Sequence, residues 1–399
     1  MTSFSRSVAL ALVLGVGPLY ACGGSDSGGG GGEAGSTGTQ QPSAGGAGGT
    51  GGTGGSGGTG GTGGSGGTGG TGGSTAEPDV PPELAFSDPP VANLADGVRF
   101  AEAVPYGPDP AQVMDVFLPE SGTPTAAVFF FHGGGFTGGS RTTAYSGSAS
   151  ALRQVTDAGV AWIGVDYRLL QDPGVETEGV IKSLRDCQRS LQFVRRWADV
   201  FNLDPERVGV YGGSAGAGTS LWLAFHDDMA IPGGGDMVAR ASTRPLAAAA
   251  NSTQSTYDVM RWAPDVFADS YAYVTNDLLL SQAQLRAMIV RFYGLDGALV
   301  NDADGIAAAL ETPEMVAYRA DVDMLALMSS DDPGAYIQNT GPNSAPTDAS
   351  FDLLHHPLHA MALRDRAAAV GAELEADIPA YNIDSSTSAM GFLLDRLVP

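Results

Sequence analysis

The stretch Thr125–Phe136, TAAVFFFHGGGF, sets the first constraint on this chain. Its apolar run is continuous rather than alternating, and it stops at glycines. Such a run suits a strand buried on both faces, which is what a parallel sheet covered by helices requires. VAWIGVDYRL repeats the signal further on. Between and after these runs come segments with apolar residues at helical spacing. One is GVIKSLRDCQRSLQFVRRWADVF, with Val180, Leu184, Leu191 and Val194 on one face. The order continues as strand, tight turn and helix in DPERVGVYGGSAGAG, then a short strand in RPLAAAANST. VRFAEAVPYG and AQVMDVFLP read as two earlier strands joined by a turn, and a helix is expected near Thr143–Ala158. GAYIQNT, PLHAMALRDRAAAVG, ELEADIP and SAMGFLLDRL close the pattern as strand, helix, strand, helix. Repeated β-α units imply an α/β fold with a mostly parallel sheet and helices on both faces. Ligands in such sheets bind beyond the carboxyl ends of the strands.

Not all of the 399 residues can join that fold. Residues 23–80 are dominated by Gly, Ser and Thr in repeats such as GGTGGSGGTGG. They have almost no apolar side chains to offset the entropy of ordering, so a flexible tether is expected, roughly 40 Å in root-mean-square span. Residues 1–22 carry Arg6, an apolar run and LYAC ending at Cys22. They read as a signal peptide, and LYAC resembles the lipobox of bacterial lipoproteins, in which the cysteine is lipidated. Export follows, with membrane anchoring through Cys22, or secretion if the peptide is cut nearby instead. Residues 81–399 form the folded domain, long enough for one large core. With Cys22 lipidated, Cys187 has no disulfide partner and reads as a small buried residue. The formal charge of −24 excludes the electrostatics of a nucleic-acid binder.

Two motifs stand at strand ends. Gly212-Gly213-Ser214-Ala215-Gly216 is G-x-S-x-G between a strand and a helix, where small residues permit a sharp reversal that lifts the serine hydroxyl clear of the sheet. His132-Gly133-Gly134-Gly135-Phe136 follows VFFF directly. The amides of Gly134 and Gly135, with that of Ala215, could form an oxyanion hole. His132 reads as a hydrogen-bonder of its own loop.

YGPDPAQVMDVFLP, HGGGF, DYRL, NLDPERVGVYGGSAGAG and DDPGAYIQNTG together resemble the α/β-hydrolase superfamily, in its hormone-sensitive-lipase-like and carboxylesterase-like branch. The resemblance implies an eight-stranded, mostly parallel sheet, a serine nucleophile at Ser214, oxyanion donors at Gly134, Gly135 and Ala215, and ester hydrolysis without a cofactor. It also implies an acid after the seventh strand. Asp352 stands there, with Asp348 as a weaker candidate.

The base departs from the family pattern. The family keeps its histidine after the eighth strand, but here that slot falls near Asn382, Ile383 and Asp384, and no histidine follows His359. Three of the five histidines instead cluster in SFDLLHHPLHAMAL, as His355, His356 and His359. The loops after strands seven and eight are neighbours, so His355 or His356 could reach the serine, oriented by Asp352 or Asp384. A triad is defined by geometry rather than by chain order. The cluster could equally be structural, because Pro357 marks a helix start and would leave His359 as an ordinary first-turn residue. A metal site from His355, His359 and Asp352 is less well formed, since Pro357 leaves His355 outside the helix; no metal or cofactor is expected. His226 lies about 18 Å from Ser214 along a helix, too far to serve.

The expectation is therefore a hydrolase of small carboxylic esters, short-chain or carbohydrate-linked. The alternative is a non-catalytic member of the same fold that has lost its base; a peptidase of that fold has nothing specific in its favour. An insertion at about 255–323 breaks the alternation and reads as a helical, lid-like cover over the strand ends. Its Tyr257, Trp262, Tyr271 and Tyr273 could stack on a substrate or pack a core.

Overall fold

The computed structural model describes residues 80–347 and 352–398, all within one compact unit, Thr75–Pro399. The expected signal peptide, the tether, Cys22 and Asp348 lie outside the described residues.

Among the described residues, nine strands form one sheet: β1 (Phe86–Ser87), β2 (Arg99–Pro105), β3 (Val113–Leu118), β4 (Thr125–Phe131), β5 (Ala161–Val165), β6 (Leu203–Gly213), β7 (Ala247–Asn251), β8 (Gly334–Gln338) and β9 (Leu374–Asp377). Their order is β1-β2-β3-β5-β4-β6-β7-β8-β9. The pairs from β5 through β4 to β9 are parallel, and β1, β2 and β3 join antiparallel. The eight expected strands are all present. The ninth, β1, has only two residues, pairing with Phe100 and Ala101; two residues carry no periodicity to read.

The continuous apolar run of β4 is divided between two cores by the pleat. Ala127, Phe129 and Phe131 face one, and Ala126, Val128 and Phe130 face the other. The larger core is covered by helices Val180–Arg196 and Ala215–Phe225 and by the segment between β7 and β8. The smaller core is closed by helices Ala149–Asp157 and Ala389–Leu397. The first of these is shorter than expected. Arg141–Tyr145 forms a separate 3-10 turn, and Gly147, flanked by serines, lies between the two.

The insertion is helical, with helices at Asn276–Ser281, Ala283–Phe292, Ala303–Leu310, Pro313–Asp321 and Met324–Leu327. Local chemistry starts them. Thr275 and Thr312 accept backbone N–H groups of their first turns, and Pro313 occupies a position where no N–H is needed. Tyr257 and Trp262 are buried core residues, whereas Tyr273 is 51% exposed. Cys187 is buried and free.

Candidate functional site

The sheet changes direction of growth between β4 and β6. β5 lies on one side of β4 and β6 on the other, so the carboxyl ends of β4 and β6 are adjacent at a topological switch point. Phe131 pairs with Gly212 there. The chain leaves β6 through Ser214, whose φ of 53° and ψ of −118° lie outside the regions an L-residue prefers. Holding a non-glycine residue so costs roughly 1–3 kcal/mol. The turn is over-determined by its neighbours. The Ser214 N–H donates to the Asn251 carbonyl at 2.9 Å, and a Cβ at Gly216 would overlap the Phe131 carbonyl. Only glycine lets the helix Ala215–Phe225 begin this close to β4.

The His132–Phe136 loop lies against the same turn. A Cβ on Gly133 would stand 2.8 Å from the Gly213 carbonyl oxygen and 3.4 Å from the Ser214 Cβ. Gly134 and Gly135 have φ of 110° and 59°. Among the described residues, the N–H groups of Gly134, Gly135 and Ala215 make no backbone hydrogen bond. His132 is buried, stacks on Tyr167 and bonds through Nδ1 to the Gly133 carbonyl at 2.8 Å. Burial pulls its pKa below the ordinary imidazole value.

This strand order, with a strained serine at the switch point and a glycine loop pressed against it, decides the fold. The chain has the α/β-hydrolase fold.

The three clustered histidines have separate environments. His355 Nε2 is 2.9 Å from Ser214 Oγ. Its Nδ1 is 3.7 Å from Asp352 Oδ2, beyond a direct hydrogen bond. Asp352 is tied to the same loop through Oδ1, which accepts the N–H groups of Leu354 at 3.1 Å and His355 at 3.4 Å. The neighbouring His355 holds the Asp352 carboxyl below the ordinary aspartate range. His356 is not at the serine. It is buried edge-on to Phe267 and Tyr271, and its Nδ1 accepts the Leu358 N–H at 3.2 Å, at the start of the following helix. His359 lies in the first turn of helix Leu358–Val370, as expected. It is wholly buried, donates through Nε2 to the Leu353 carbonyl at 2.8 Å, and faces Ser255 Oγ at 3.0 Å through Nδ1. Burial pushes its pKa down to about 3, so the ring is neutral. Asp384 is exposed. Among the described residues, no group of three His, Cys, Asp or Glu side chains is arranged to hold a metal ion.

Sequence reasoning missed a second contact at Ala215. The Tyr257 hydroxyl, from the start of the insertion, donates to the Ala215 carbonyl at 2.7 Å. Its ring is edge-on to Phe136, the residue after the glycine loop. Forty-two positions separate Tyr257 from Ala215, and no local pattern reports such a contact.

Residues 114–276 match the family described as BD-FAE. A carboxylesterase, patB, of Penicillium expansum is 30% identical over 139 residues, covering 30% of this chain and 25% of that protein. "Probable isoprenylcysteine alpha-carbonyl methylesterase ICMEL1" of Oryza sativa subsp. japonica is 28% identical over 140 residues, covering 35% of this chain and 31% of that protein. The chain thus spans between a quarter and a third of the length of these curated relatives. Among solved structures, an acetyl ester-xyloside bifunctional hydrolase from Caldicellulosiruptor lactoaceticus is 18% identical with a TM-score of 0.44, covering 72% of this chain and 83% of that one.

Proposed function

We propose that this protein, with its α/β-hydrolase fold, cleaves small carboxylic esters through an acyl-enzyme on Ser214. The observation that carries the reading is the 2.9 Å approach of His355 Nε2 to Ser214 Oγ. A neutral imidazole at that distance takes the hydroxyl proton as Oγ bonds to the acyl carbon. The carbonyl π pair moves onto oxygen, and the amides of Gly134, Gly135 and Ala215 receive the oxyanion; losing one such donor costs roughly 3 kcal/mol of transition-state stabilisation. Collapse breaks the bond to the alcohol oxygen, which leaves with the proton from His355. Water then repeats the sequence, releases the acid and restores the serine. Asp352 is the orienting carboxylate. Its 3.7 Å separation from Nδ1 is of the kind that closes in a substrate complex, because catalytic hydrogen bonds are often long without one.

The relatives called carboxylesterase and methylesterase agree with ester chemistry but do not select an acyl group or alcohol. Short-chain p-nitrophenyl esters are the first substrates to try. Wild-type protein should hydrolyse them and react covalently with a fluorophosphonate probe, and Ser214→Ala should do neither while keeping its thermal midpoint. Absence of labelling in the wild type would instead select a non-catalytic protein of this fold, because that reaction needs an activated hydroxyl.

We also propose export and anchoring through Cys22, on the strength of LYAC and the glycine-rich segment after it. Labelled palmitate should mark the wild-type protein and leave Cys22→Ser unmarked. Equal absence of label from both removes the anchor.

A further inference from the structure

The loop that carries His355, residues 352–357, belongs to no helix or strand. Its carbonyls still need partners, because a buried one left unbonded is costly. Three consecutive carbonyls find them in three side chains from separate parts of the chain. The Leu353 carbonyl accepts His359 Nε2–H at 2.8 Å, that of Leu354 accepts Gln254 Nε2–H at 2.8 Å, and that of His355 accepts Asn339 Nδ2–H at 3.0 Å. All three donors are buried, at 0%, 5% and 1% exposure. Gln254 leads from β7 into the insertion, Asn339 follows the last residue of β8, and His359 lies in helix Leu358–Val370.

We propose that Gln254, Asn339 and His359 are positioning residues for His355, clamping the peptide planes around it so that its imidazole is held against Ser214. The inference rests on the reading of His355 as the base. The Leu354 carbonyl belongs to the peptide before the His355 Cα, and the His355 carbonyl belongs to the peptide after it. Peptides are planar, so fixing both planes fixes φ and ψ of His355 and hence the direction of its Cα–Cβ bond. Gln254 holds the first plane and Asn339 the second.

The clamps are themselves held. Asn339 Oδ1 accepts the Gly341 N–H at 2.9 Å, which leaves its NH₂ for His355, and the Asn339 N–H donates to the Asp377 carbonyl at 2.9 Å. His359 Nδ1 accepts the Ser255 N–H at 3.2 Å, so Nε2 carries the proton that meets Leu353. The edges and faces of Trp262 and Phe267 confine that ring. A base mounted on an irregular loop has no ladder or helix to hold it, and a displacement of about 1 Å can cost a hundredfold in rate.

The test replaces each flanking donor by an apolar side chain of similar size in the full chain, as Gln254→Met and Asn339→Leu. Hydrolysis of p-nitrophenyl acetate and thermal unfolding are measured for each, alone and combined with His355→Ala. The expected result is a fall in kcat of about tenfold or more with KM changed less than about threefold, and no further fall in the His355→Ala background. Two results overturn the inference: folded variants with kcat within about threefold of wild type, or an equal loss with His355 already absent. If Asn339→Leu does not fold, Gln254→Met decides by the same criteria. A wild type that is not labelled by fluorophosphonate overturns the parent reading, whereas a labelled, active wild type with indifferent variants overturns only the clamp.

Discussion

Ser214 and His355 stand 2.9 Å apart, yet different kinds of structure hold them there. Ser214 is placed by the elements on either side of it in sequence. β6 ends at Gly213, the helix starts at Ala215, and glycines on both sides admit the reversal. The donors on either side of His355, Gln254 and Asn339, come from elsewhere in the fold. Gln254 reaches the loop across about a hundred positions, and Ser214 itself is 141 away from His355. A turn between two regular elements is a local device and tolerates little variation in residue type. A loop held by side-chain amides is assembled by the whole fold, so the proposed base can be supplied from a different strand end without altering the proposed nucleophile.

The largest expected effect distinguishes the adjacent histidines. His355→Ala should lower kcat by about three powers of ten or more, as for removal of a triad member. His356→Ala should leave kcat within about tenfold and act mainly on stability, because that ring packs on Phe267 and Tyr271 and meets the Leu358 N–H. Assays with p-nitrophenyl esters beside thermal melts separate the two outcomes. The reverse order would mean that the loop rearranges on binding substrate, and the contrast between a rigid elbow and a clamped loop would need restating.

The orienting carboxylate comes next. Asp352→Asn should reduce kcat by roughly a hundredfold to ten-thousandfold by disturbing the tautomer of His355. Asp384→Asn should be nearly silent, since Asp384 is exposed. A larger loss at Asp384 would place the acid on the loop after β9 and make the site a composite of two loops.

How much of this was legible beforehand follows the same division. The strands ending at Phe131 and Gly213 and the helix after Ser214 could be read from short windows, because apolar runs and glycine spacing are local signals. The cluster at 355–359 is visible in the sequence, but His355 and His356 cannot be ranked there. His355 and His356 differ by one position and point to opposite environments, one toward Ser214 and one into aromatic packing. His359 read as an ordinary helical residue because its burial comes from Ser255, Trp262 and Phe267, roughly a hundred residues earlier. Asn339 and Gln254 carried no signal, since a lone amide side chain has no pattern until the fold supplies its partner.

The buried ring of His359 gives the base loop its own pH dependence. Folded, it takes a proton only near pH 3; unfolded, an imidazole does so near 6.5. Between those values the unfolded chain binds more protons, so stability should fall as pH drops from about 6.5 towards 3, by at most about 1.4 kcal/mol per pH unit for one group. His132, lowered by burial, acts in the same direction. Asp352 adds a loss at still lower pH, as its depressed carboxyl becomes protonated. Denaturant unfolding across this range should show a shallower acid limb in His359→Gln than in the wild type. Equal limbs would mean that His359 is not buried as a neutral donor, which would weaken one of the three clamps.

The smallest expected effect tests whether the nucleophile side is as local as it looks. Tyr257 comes from the insertion, and its hydroxyl meets the Ala215 carbonyl at 2.7 Å. Ala215 supplies one of the proposed oxyanion amides, so through this contact the insertion touches the elbow, which also meets Asn251 and the Gly133 loop. The same carbonyl also accepts the Thr219 hydroxyl, at 2.8 Å, from one turn along its own helix. Removing the tyrosine hydroxyl therefore leaves the carbonyl satisfied, and the ring keeps its packing on Phe136 and Phe292. Tyr257→Phe should cost about 1 kcal/mol of stability and lower kcat by less than about fivefold, read by chemical denaturation and ester hydrolysis. A loss above about tenfold with unchanged stability would show that the oxyanion side is held from the insertion as the base side is. The two halves of the site would then share one support, and substitutions in the insertion would couple to both.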